Sequence, residues 1–326
     1  MFDKLEEKME NRFSSHPLSG SKTGQYFTNE DGTVKVPAIM LTPELLDAIR
    51  TDLVTYRWNS SDFLLSTYFK NGTHYMWEVM TMLLNGSADN VKQSKEILMI
   101  DLTPMSKNKD VAPSPRVLNT HYRIDVLPPE FRQRKTVVVV RNPKDSCVSQ
   151  FYHEKILMSK LNPVFASRAN MAFADFAQEY MYSKDIPYGS YFDYTEYMWS
   201  LRNEPNILLV FYENLKLNPV EVIQSVNEFM GTNRSPELVQ QIADATKFER
   251  MKKSKEEARV TKEMLELGET VKMEGDLQTS VGDLMLKLYR KGEVGDWKNH
   301  FTVAQNEEFD ALLAAWKGGK DIPFIY

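Results

Sequence analysis

Four consecutive valines, Val137 to Val140 within KTVVVVRN (Lys135 to Asn142), constrain this chain more than any other stretch. β-Branched side chains are stiff at χ1 and fit a pleated strand. A strand that is apolar at every position has no solvent side, so other elements must cover both of its faces. That is how an inner strand of a parallel sheet reads, with helices above and below. The run ends at Asn142-Pro143, and a helix from Asp145 to about Lys160 is expected after it.

The same alternation recurs along the chain. DFLLST, from Asp62, is a short apolar run; YFKNG turns; THYMWEVMTMLLNG reads as a helix closed by Gly86. EILMID (Glu96 to Asp101), RVLNTH (Arg116 to His121) and NILLVFY (Asn206 to Tyr212) are further strand candidates. Asn218-Pro219 opens a helix with Val222, Ile223, Val226, Phe229 and Met230 on one face, stopped by Gly231. Strands alternating with helices predict βαβ units. The expected fold is α/β: one domain over residues 1–326, with a central, mostly parallel sheet flanked by helices and a P-loop-like phosphate-binding strand-loop-helix. Ligands in such folds lie at the carboxyl ends of the strands. Residues 1–60 carry no clear pattern, and SHPLSGSKTG (Ser15 to Gly24) reads as a loop. Residues 252–296 are rich in Lys, Glu and Gly and read as a lid over the cofactor and acceptor.

Composition removes several function classes. A net charge of −5 argues against a general nucleic-acid binder. Any polyanion must therefore be gripped by a local cluster of donors. The single cysteine, Cys147, permits no intramolecular disulfide and suits a reducing compartment. The five histidines show no metal-ligand spacing, so no metal is expected. No stretch approaches the roughly 20 apolar residues of a membrane span. The start, MFDKLEEKMENRF, is too charged for a secretory signal, and the cytoplasm is the expected location.

Three segments carry chemistry. In TYFKNGTHY (Thr67 to Tyr75) a strand end, a glycine turn and a helix start expose unpaired N–H groups, which favour an anion. Lys70 adds a mobile charge, Gly72 permits close approach, and Thr73 adds a hydroxyl. Taken alone, this is equally an ordinary capped turn with a surface lysine. The Walker pattern G-x-x-x-x-G-K-[ST] is absent, which disfavours a phosphoryl-transfer enzyme of that type. RNPKDSCVS (Arg141 to Ser149) starts at the end of the valine strand and brings Arg141 and Ser149 within reach of one phosphate, although Arg141 taken singly could be a buried structural ion pair. RKGEVGDWK (Arg290 to Lys298) sets two cations before a glycine, and alone could be a solvated charge cluster.

Together these segments resemble the cytosolic sulfotransferase family in order and spacing, from about Thr67 to Glu307. TYFKNGT is similar to the family's 5′-phosphosulfate loop, RNPKDSCVS to its 3′-phosphate motif, and RKGEVGDWK to its C-terminal RKGxxGDWK. IPYGSYFD (Ile186 to Asp193) also has family character. The resemblance implies transfer of a sulfonate group from 3′-phosphoadenosine 5′-phosphosulfate (PAPS) to a hydroxyl of a small-molecule acceptor, releasing 3′-phosphoadenosine 5′-phosphate (PAP). It implies that His121, in LNTHYR, is the general base and that Lys70 neutralises the departing oxygen. Asn71, Gly72, Thr73 and His74 would wrap the 5′-phosphate. Arg141 and Ser149 would hold the 3′-phosphate, joined by Arg290, Lys291 and Gly292. Tyr75 would stack on adenine where the family usually has Trp, and Tyr212 and Thr246 would contact the adenine and ribose side. Leu102, His153 and Tyr188 would face the acceptor. KNHFTVAQNE fits the family's dimerisation motif at Lys298, Thr302, Val303 and Glu307, implying a homodimer.

Three positions depart from the family pattern: Asn119 stands for a lysine that helps hold the sulfonate, His74 for a small hydroxyl residue, and Phe69 for a proline. Asn119 favours the alternative of a PAP- or small-molecule-binding protein without turnover, whereas His121 points to an active enzyme.

Overall fold

The computed structural model describes residues 26–28, 35–37, 48–49, 51–53, 55–108, 113–155, 169–183, 188–257 and 290–326. Near the start, β1 (Tyr26–Thr28) and β2 (Lys35–Pro37) pair antiparallel. The main sheet contains β3 (Phe63–Thr67), β4 (Val117–Thr120), β5 (Thr136–Val140) and β6 (Ile207–Phe211). All pairings are parallel, and the spatial order is β4-β3-β5-β6. The valine strand is internal as expected. Val138 pairs with Ser66 on one side and Leu209 on the other. Val137, Val138 and Val139 are each 0% exposed.

Helices surround the sheet. Besides a short turn of helix at Met105–Asn108, they include α1 (Thr73–Asn85), α2 (Pro143–His153), α3 (Phe173–Tyr182), α4 (Tyr191–Ser200), α5 (Tyr212–Leu217), α6 (Pro219–Met230), α7 (Pro236–Ala245), α8 (Phe248–Glu257) and α9 (Val303–Ala315). α1 packs on β3 and β4 and is itself covered by α6 and α7. It stops at Gly86, whose left-handed backbone (φ 69°) returns its N–H to the carbonyls of Met82 and Leu83. α6 ends in the same way on Gly231, as the sequence predicts.

One expected strand is absent. EILMID forms a 3-10 turn over Lys95–Leu98 and then a single bridge between Met99 and Asn119. The Ser94 hydroxyl caps the turn by accepting from the Glu96 N–H, and the Glu96 carbonyl accepts from the Met99 N–H and the Thr103 hydroxyl. Those local bonds use the groups that a ladder would need. The expected lid falls mainly on residues 258–289, outside the described residues, as does most of residues 1–60.

The strand order positions the site. From β3 the chain crosses to β4 on one side, then returns to place β5 on the other. The connections leaving the carboxyl ends of β3 and β5 therefore diverge, and a crevice opens between them.

Candidate active site

The loop after β3 lies in that crevice. Gly72, at φ 97°, is the N-cap of α1, and no side chain caps the exposed N–H groups. A Cβ at Gly72 would lie 2.5 Å from Cδ2 of Tyr212, so only glycine fits there. Lys70 also adopts a left-handed backbone (φ 66°), unusual for a residue with a side chain. Its carbonyl accepts from Arg141 Nη1 at 3.0 Å, which joins the loop to the end of β5. Asn71 is buried; its Oδ1 accepts from Ser146 Oγ at 2.8 Å, while its Nδ2 has no hydrogen-bond partner among the described residues. The hydroxyls of Thr67 and Thr73 bond at 2.6 Å.

Arg141 lies across the Tyr212 ring, 4.4 Å from its centroid, and Nη2 donates to the Glu293 carbonyl at 3.4 Å. Its Nε has no partner among the described residues. α2 begins beside it, with the Asn142 side chain accepting from the N–H groups of Lys144 and Asp145. Ser149 is half-buried two turns along this helix.

The RKGEVGDW segment docks on α2 through Asp145, which accepts from the N–H groups of Gly295 (2.7 Å) and Trp297 (2.9 Å). Arg290 Nη2 and Lys291 Nζ both reach the Asp296 carboxylate, at 2.6 and 2.7 Å. Burial would raise that carboxyl, but bonds from Lys291, Arg290 and Asn299 outweigh it and hold Asp296 well below the usual range. Gly292 (φ 67°) rests on Phe248, where a Cβ would meet the ring at 2.3 Å. Phe248 and Tyr75 flank Lys216, whose Nζ is 5.8 and 5.9 Å from the two ring centroids. The Tyr75 hydroxyl donates to the Leu215 carbonyl at 3.2 Å. The Thr246 hydroxyl is engaged with the Ile242 carbonyl at 2.7 Å.

His121 follows β4. Its backbone N–H donates to Asp101 Oδ2 at 2.6 Å, and its Nδ1 lies 3.0 Å from the Thr67 carbonyl. A carbonyl only accepts, so Nδ1 carries the proton and Nε2 the lone pair. Burial, followed by the charge of Lys95, pushes the imidazole down to about 3, so it is neutral at physiological pH. Phe69, His153 and Tyr188 surround this position. The Phe69 ring centroid is 5.2 Å from His121, 4.7 Å from His153 and 5.5 Å from Tyr188. His153 is held well below its ordinary value, first by burial and then by Lys70 and His121. Leu102 is partly buried just beyond Asp101.

Cations gather around the loop. Burial, then Lys95, Arg141 and Arg290, push the Lys70 ammonium down to about 7. His74 turns to Glu96, with Nε2 3.1 Å from Oε1, and burial pushes it down to about 4. Among the described residues, no group of His, Cys, Asp or Glu could hold a metal ion.

The structure thus brings Lys70, Asn71, Gly72, Arg141, Tyr212 and His121 to one end of the sheet. Arg290 and Lys291 are tied to Asp296, and His74 to Glu96. Several participants carried no motif. Asp101 closes the apolar run ILMI, Phe248 follows Thr246 by two residues, and Phe69 sits inside the loop. An acidic residue ending an apolar run was the one signal that could have singled out Asp101.

The family model for a sulfotransferase domain matches residues 60–320. The chain is 32% identical to sulfotransferase 1C2 of Rattus norvegicus over 285 residues, covering 84% of this chain and 89% of that one. It is 33% identical to sulfotransferase 1E1 of Bos taurus over 276 residues, covering 81% and 85%. The crystal structure of mouse sulfotransferase SULT7A1 complexed with PAP is similar with a TM-score of 0.64 and 26% identity, covering 89% of this chain and 93% of that one.

Proposed function

The chain belongs to the sulfotransferase family, and from that premise we propose that it transfers a sulfonate group from PAPS to a hydroxyl of a small-molecule acceptor, with His121 as general base. The observation that carries this reading is the convergence of Lys70, Arg141 and the His121 imidazole, with its proton on Nδ1, at the carboxyl ends of adjacent strands β3, β5 and β4.

The residues fit the donor. The crowded Gly72 cradle, Asn71 Nδ2 and Arg141 Nε, which have no partner among the described residues, and the uncapped start of α1 all offer donors to phosphate. When bound, PAPS supplies an activated sulfonate on a phosphate leaving group. Lys70, at the tip of the loop, stabilises the oxygen on which charge develops. An anion beside it favours its charged form and so opposes the depression caused by burial and then by neighbouring cations. Arg141 and Ser149 hold the 3′-phosphate, with Arg290, Lys291 and Gly292 closing over it. Asn71, Thr73 and His74 line the 5′ side. Tyr75 and Phe248 stack on the adenine, with Tyr212 and Thr246 beside it.

The thiol-free, mostly apolar wall of Phe69, Leu102, His153 and Tyr188 faces the acceptor, a phenol, sterol or other alcohol. His121 Nε2 takes the hydroxyl proton as the new sulfur–oxygen bond forms. Neutrality across the physiological range keeps that lone pair available. Residues 1–326 act as one domain, in the cytoplasm; no described helix is long and apolar enough to cross a membrane. The chain forms a homodimer through Lys298, Thr302, Val303 and Glu307, of which Val303 is 75% exposed on the first turn of α9.

The test is transfer from labelled PAPS to a panel of phenols, sterols and aliphatic alcohols, run beside calorimetric titration with PAP. Transfer to at least one class together with PAP binding supports the reading. PAP binding without turnover of any acceptor favours a binding protein instead, and failure to bind PAP removes both.

A further inference from the structure

We propose that Lys95 belongs to the donor site, where its ammonium, steered by Glu96, shares the anionic donor with Lys70. The inference rests on the donor reading above and adds a cation that no motif marks.

The Lys95 side chain is only 4% exposed. A buried ammonium is costly unless its three N–H donors and its charge are met. Its partners are Glu96 Oε1 at 3.2 Å and Met99 Sδ at 3.7 Å, the latter a weak acceptor. The carboxylate is not Lys95's alone. The same Oε1 lies 3.1 Å from His74 Nε2, and Ser94 Oγ donates to Oε2. His74 is the second residue of α1, at its uncapped start. Lys95 therefore sits one shared carboxylate away from the phosphate loop.

Its backbone is fixed to the same place. Asn119 Nδ2 donates to the Lys95 carbonyl at 2.8 Å, and Asn119 lies on β4 two residues before His121. The neutral amide thus anchors a charge that it does not itself supply. Lys95 is also the leading cation acting on Lys70, His74 and His121, after burial. Lys70 thus lies among Lys95, Arg141 and Arg290, with Glu96 the carboxylate acting on it, while Asp296 is paired with Arg290 and Lys291. Such a gathering of cations about the loop is the electrostatic complement of a multiply charged anion.

PAP affinity measured calorimetrically from pH 5.5 to 9 tests this without turnover. In the native protein, affinity should fall as pH rises through about 7, because Lys70 is charged below that point and neutral above it. The groups facing Lys70 are Lys95, Arg141, Arg290, Glu96, His74, His121 and His153. Lys95→Met should weaken PAP about tenfold at pH 6 and move the alkaline fall upward by about one unit, since a like charge is removed. Lys95→Arg should keep both near native. Glu96→Gln should do the reverse, binding more tightly at pH 6 and losing affinity at lower pH than native. A Lys95→Met protein whose affinity and alkaline fall match the native ones overturns the inference. If Lys95→Met does not fold, native-like PAP affinity and an unmoved alkaline fall in folded Lys95→Gln overturn it equally. A native protein that binds no PAP at any pH overturns the donor reading instead, which is a different result.

Discussion

At His121 two hydrogen bonds decide the chemistry. The Thr67 carbonyl fixes the proton on Nδ1, and Asp101 holds the backbone N–H that sets where the ring emerges. Asp101 is buried, and burial pushes its carboxyl up to about 7 even though Thr120 and the His121 N–H both donate to it. A raised carboxyl is ionised above that pH and protonated below it. Turnover should therefore decline as pH falls through about 7, when Asp101 loses acceptor capacity, while PAP affinity should not follow that decline. Asp101→Asn should lower kcat about tenfold and abolish that limb, because an amide nitrogen or a single carbonyl oxygen replaces the two acceptors. A pH–rate profile with the same limb in native and variant contradicts this role. At this scale the strand-end positions of Lys70, Arg141 and His121 were legible in the sequence, while the roles expected of them came from the family resemblance. No motif marks Lys95, and only the end of an apolar run marks Asp101, because both lie on a segment folded against β4.

Among the elements, the strand-loop-helix of β3 and α1 works through its backbone. Gly72 supplies the left-handed turn, leaves the helix start uncapped and lets the Tyr212 ring approach. Gly72→Ala should cost about 2 kcal/mol of stability from the positive φ and the clash, and at least about tenfold in PAP affinity. Thermal unfolding and calorimetry read the two effects separately; unchanged PAP affinity would show that the loop does not cradle phosphate. The valine strand, the helices closed by Gly86 and Gly231, and the strand-turn-helix were legible because periodicity and punctuation agree there. EILMID misled because four apolar residues in a row suit a strand as well as a covered 3-10 turn. The decision was made by Ser94 and Thr103, whose hydroxyls bond the Glu96 backbone.

For the whole molecule, the strand order β4-β3-β5-β6 puts His121, Lys70 and Arg141 at adjacent strand ends, and the RKGEVGDW segment docks on α2 beside them. The α9 start presents Val303 outward, with Thr302 completing a capping box with Gln305. Val303→Glu should shift a dimer toward monomer in sedimentation velocity while leaving the fold intact, because a single exposed apolar contact in a small interface is sensitive to charge. An unaltered sedimentation coefficient would contradict a dimer contact at Val303. The most direct test of the central claim is sulfonate transfer from labelled PAPS by the native protein and by His121→Ala, with PAP affinity measured on both. The account predicts a loss of at least about a hundredfold in kcat with PAP affinity unchanged, as removal of a general base requires. Native-like turnover in His121→Ala would contradict it.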